Sequence, residues 1–129
     1  SADEMVGREV TEPSPDAQAA VDFVWDLIES VGLTNGKTNP PVKFLTSIMD
    51  GGTKLNGYWR DNIVYINSDL GGSSSEFGGS LSNRLVKVAL EEVAHHCTGA
   101  TDNSRDFQDY LLELATKLSR LHLRRKETV

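Results

Sequence analysis

With 129 residues, the chain has length for one domain with a real core and little room for a second. Apolar residues at 38% and charged residues at 25% are ordinary for a globular chain, and no apolar run approaches the roughly 18 residues of a membrane span. Net charge is −6, with 12 acids and 5 bases in residues 1–79 and 7 acids and 8 bases thereafter, so no extended basic surface for nucleic acid is expected. A single cysteine, Cys97, excludes an intrachain disulfide and fits a reducing, cytoplasmic compartment. The absence of an initiator methionine fits a fragment of a longer protein.

Residues 1–13 are polar and acidic without periodicity and read as a flexible lead, leaving 14–129 as the folded domain. Ser14-Pro15-Asp16 opens a helix, with Ser14 as N-cap and Pro15 at its first position. Ala17, Ala20, Val21, Val24, Leu27, Ile28 and Val31 then recur at helical spacing up to a stop at Gly32. Thr34–Pro41 is turn chemistry. Val42–Met49 reads as a strand, and Leu55–Arg60 with Ile63–Asn67 as a hairpin around Asp61-Asn62. Within the second hairpin strand, alternation puts Val64 and Ile66 on one face and Ile63, Tyr65 and Asn67 on the other. Gly71–Gly79 is a mobile glycine- and serine-rich loop with Phe77 as its one adhesive side chain, and it lacks the lysine of a phosphate-cradling loop.

The following helix, from about Leu81 to Thr98, carries the chemistry. At about 100° per residue, Leu81, Leu85, Val86, Val88, Ala89, Leu90, Val93 and Cys97 cover one broad side; Glu92 and His96 fall inside that apolar arc, and Glu91 and His95 lie along its edge. A carboxylate taken out of water needs a partner or a proton. Glu92 is therefore expected to be buried and paired, with His95, His96, Asp102, a metal or water as its options, and mutual satisfaction with His96 at i, i+4 is the plain structural alternative. Cys97 beside His96 reads as a small buried thiol rather than a soft ligand. Gly99 ends the helix, and Asp102 and Ser104 compete to cap a last helix whose stripe is Phe107, Tyr110, Leu111, Leu114, Leu118 and Leu121. Its late bases Arg120, Arg124, Arg125 and Lys126 complement the helix dipole.

Glu91-Glu92-Val93-Ala94-His95 resembles the His-Glu-x-x-His helix of zincin metallopeptidases, with glutamate in place of the first histidine. His96-Cys97-Thr98-Gly99-Ala100-Thr101-Asp102 is similar to the H-x-x-G-x-x-D continuation of one metzincin-like group, although there the opening histidine is also the second of H-E-x-x-H, whereas His96 here is an extra residue after His95. The run Val88–Phe107 is similar to the terminal segment of large phage and bacterial proteins whose other end is a histidine-kinase-like ATPase. The resemblance implies a zincin-like α+β fold with three helices on a small, mostly antiparallel sheet of about three strands. It implies Glu91, His95 and Asp102 as metal ligands and Glu92 as the base that takes a proton from the bound water. Two carboxylates and one imidazole would suit manganese or iron as well as zinc, and a site without metal is an equal alternative. Because small zincin domains line their substrate cleft with a strand just ahead of this helix, Tyr58 and Trp59 become candidate cleft-wall residues, joined by His96 and Phe77 as binding positions; cross-strand aromatic packing is the simpler role for the pair.

Three functions compete. The first is a pseudoenzyme or interaction domain of a larger phage or bacterial protein, which lost its metal with the first histidine and binds a protein partner. The second is a metal-dependent, peptidase-like hydrolase. The third is a small acidic phage-type inhibitor or adaptor.

Overall fold

The computed structural model describes residues 5–10, 12, 14–72 and 81–128. Three helices pack with a mixed sheet, an α+β architecture. The elements are β1 (Met5–Glu9), α1 (Pro15–Ser30), β2 (Val42–Asp50), β3 (Thr53–Lys54), β4 (Gly57–Arg60), β5 (Ile63–Asn67), a 3-10 turn (Ser68–Gly72), α2 (Asn83–Thr98) and α3 (Arg105–Glu127). Strands order as β1-β2-β5-β4, with the two-residue β3 attached to β2. Among the described residues the sheet thus has five strands rather than about three, and β2 pairs with β5 in parallel while the other pairings are antiparallel. Met5–Glu9, expected within the lead, pairs with β2 instead; strand pairing requires only backbone groups, so a polar segment can join an edge.

Local chemistry sets the helix ends. Ser14, Ser82 and Ser104 each accept a hydrogen bond from the backbone N–H three residues on, satisfying a donor that has no partner within its helix. At the end of α1, Gly32 adopts φ +72 and the N–H of Leu33 reaches the carbonyl of Ile28, closing the helix as a left-handed glycine permits. Gly99 stops α2 in the same conformation, with φ +66. Asp61 and Asn62, with φ of 51 and 65, form the tight turn between β4 and β5.

The core lies between the helices and one face of the sheet, where Val21, Val24 and Ile28 of α1 meet Leu85 and Val93 of α2 and Val64 and Ile66 of β5. Each such burial stabilises the fold by roughly 1.5–3 kcal/mol against exposure. Asn67, expected to share the face opposite Val64 and Ile66, is also buried, its amide near the Leu55 carbonyl and its Oδ1 accepting from the Asp69 N–H. Among the described residues, no helix is long and apolar enough to cross a membrane.

Candidate functional site

A cleft of about 770 Å³ lies between β4 and α2 and is closed at one end by the Gly99–Asp102 turn. The course of its walls follows from two contacts. A Cβ built on Gly57 would lie 2.7 Å from Val88 Cγ1 and 2.8 Å from Glu92 Oε2. Trp59 Nε1, two residues along, donates to His96 Nδ1 at 3.3 Å, one turn beyond Glu92. Strand and helix therefore run in the same direction, and the absent side chain at position 57 lets β4 approach α2 closely.

Glu92 faces this cleft and is 7% exposed. Burial, reinforced by the nearby charges of Glu91 and Asp102, pushes its pKa up to about 8, so the carboxyl is mostly protonated at neutral pH. The expected burial is present, but neither histidine pairs with Glu92. His96, 4% exposed, turns away: its Nε2 donates to the Thr38 carbonyl at 2.8 Å, and its Nδ1 accepts from Trp59. That ring is the neutral tautomer with both nitrogens satisfied, and it ties α2 to β4 and to the turn before β2. Being neutral, Glu92 needs no counter-charge, which removes the reason for a Glu92–His96 pair.

His95 lies at the cleft's far end. Its Nδ1 is 2.7 Å from the Ala100 carbonyl, its Nε2 is 2.5 Å from Asp102 Oδ1, and its ring stacks on Phe107 with centroids 4.3 Å apart. Both ring nitrogens face oxygen acceptors, an arrangement that the doubly protonated imidazolium satisfies. Ser104 takes the cap of α3, which frees Asp102 for this pairing and decides the competition between the two residues.

Glu91 is exposed on the cleft's rim. Glu91, His95 and Asp102 thus border one cleft, but among the described residues no group of three His, Cys, Asp or Glu side chains is arranged to hold a metal ion. The donor set does not fit a catalytic zinc: one carboxylate stands in solvent, and the other already occupies the imidazole nitrogen that would bind metal. Cys97 is buried beneath the site, its thiol pushed up by burial, next to Tyr110, whose hydroxyl donates to the Leu33 carbonyl at 2.7 Å.

Tyr58 and Trp59 both line the cleft, Tyr58 opposite Tyr65 and Trp59 opposite Val64 in the β4–β5 register. Phe77 lies outside the described residues. Gly57 went unread as a site residue, although a glycine inside a strand pattern signals close backbone approach. Arg84 and Lys87 were also missed; their signal is a pair of cations at the start of a helix, where the dipole favours acids.

No family model, curated protein or solved structure matches this chain.

Proposed function

We propose that this chain is a zincin-like domain that has kept its cleft without its metal chemistry and uses that cleft to bind an extended polypeptide segment of a protein partner inside a bacterial or phage-infected cell. The observation that carries the proposal is the outer edge of β4. The Asn67 N–H donates to the Asn56 carbonyl at 2.8 Å, which fixes the phase of the antiparallel ladder. Residues 56, 58 and 60 point their backbone groups towards β5, so those of Gly57 and Trp59 point outward, along the cleft. A peptide laid there as an added strand gains main-chain hydrogen bonds from the edge.

The loss of metal chemistry is supported by the exposed Glu91 in place of a histidine and by the His95–Asp102 pair. Glu92, protonated at neutral pH, is suited to donating a hydrogen bond to a bound carbonyl rather than to taking a proton from water.

An array of extended heptapeptides identifies binders, and a scan of each binder with single backbone N-methyl groups tests the mode. Added-strand docking predicts that methylation at alternate residues abolishes binding while the residues between tolerate it. Uniform tolerance, or metal-dependent cleavage of the bound peptides, overturns the proposal.

A further inference from the structure

Charge is distributed unevenly along the cleft. At the end where α2 begins, Lys54, Arg84 and Lys87 line the walls, and none of the three forms an ion pair among the described residues. One carboxylate, Asp50, shares that end, with its Oδ1 buried and without a hydrogen-bond partner. At the other end stand Glu91 and Asp102 against the single imidazole of His95. Because β4 and α2 run in the same direction, this gradient lies along the axis on which a strand would dock. It also opposes the helix dipole, since the first turn of α2 holds no acid and cations occupy its start.

We infer that the cleft selects a charge-polarised peptide, docked antiparallel to β4, whose cationic residue lies over Glu91 and Asp102 and whose anionic residue lies over Arg84 and Lys87. This inference rests on the added-strand proposal above. Antiparallel pairing is the slightly more stable ladder per residue, and a strand so docked runs from the Asp102 end towards the Arg84 end, so the cation precedes the anion in the peptide. From midway between Arg84 and Lys87 to midway between Glu91 and His95, whose ring holds Asp102, α2 rises about 11 Å at 1.5 Å per residue. Four steps of extended chain cover about 13 Å and return a side chain to the same face. The recognised pattern is therefore Lys-x-x-x-Glu rather than Glu-x-x-x-Lys.

The test compares Lys-Val-Thr-Val-Glu with Glu-Val-Thr-Val-Lys, both acetylated, amidated and fluorescently labelled, by anisotropy at low salt against the wild type and the double variant Arg84→Glu/Lys87→Glu. Both substituted positions are exposed, so the variant keeps its core. The expected result is about three- to tenfold tighter binding of the Lys-first peptide, the sum of a few surface pairs. That preference shrinks as salt is added and is lost or inverted in the variant. Equal binding of the two peptides overturns the charge inference and leaves added-strand docking intact. Tighter binding of the Glu-first peptide overturns the antiparallel direction. If neither these peptides nor any array peptide binds, the docking proposal itself fails, and the inference with it.

Discussion

Glu92 is ionised in the unfolded chain above its ordinary pKa of 4.5 but keeps its proton in the folded protein up to about pH 8. Between those values the folded state binds the extra proton, so stability is lost as pH rises through the window and levels off above it. Glu92→Gln, a neutral group of the same shape, removes that slope. At pH 7 the variant should be more stable than the wild type by up to about 3 kcal/mol, and at pH 4 the two should coincide; urea titrations across pH 4–9 would show it. Parallel pH profiles of the two proteins would mean that Glu92 is ionised in the fold. A second residue-scale prediction concerns Glu91. Glu91→His supplies a second imidazole one turn before His95 and removes a negative charge from the rim, so zinc calorimetry should show one-to-one binding in the variant and none in the wild type. Stoichiometric zinc binding by the wild type would contradict the loss of metal chemistry. The apolar arc made the burial of Glu92 and His96 legible in the sequence. Their partners were not, because His96 finds Thr38 and Trp59, which lie far from it in the chain and reach it only through tertiary packing.

Among the elements, β4 carries the most consequence. Gly57→Ala places a methyl group against Val88 and Glu92, forcing strand and helix apart. Overpacking of this kind should cost about 1–3 kcal/mol, measured by denaturant titration, and should weaken peptide binding by shifting the edge. An unchanged midpoint would show that β4 does not press on α2. Trp59→Phe keeps an aromatic side chain but removes the indole N–H, leaving the buried His96 Nδ1 without its donor, at a cost of about 1–3 kcal/mol in the same assay. The three helices were legible because their caps, stripes and stops are local in sequence, as at Ser14, Gly32 and Gly99. The sheet was less so. β1 shows no alternation, β2 and β5 pair in parallel across an intervening hairpin, and Ser47 at φ 54 sits where the β1–β2 register shifts, which no spacing rule reveals.

At the scale of the molecule, a helical layer against one sheet face leaves an open strand edge beside a cleft floored by a neutral carboxyl. The Gly57 approach and the Trp59–His96 tie hold β4 along α2, with Gly57 and Trp59 directing their backbone groups outward. Amide hydrogen exchange read residue by residue tests that assembly most directly. The Gly57 and Trp59 amides should exchange quickly in the free protein and become protected when a binder from the peptide array is added at saturation. If saturating peptide leaves both amides unprotected, or protects another surface instead, the segment does not dock as a strand on β4, and the central claim is wrong.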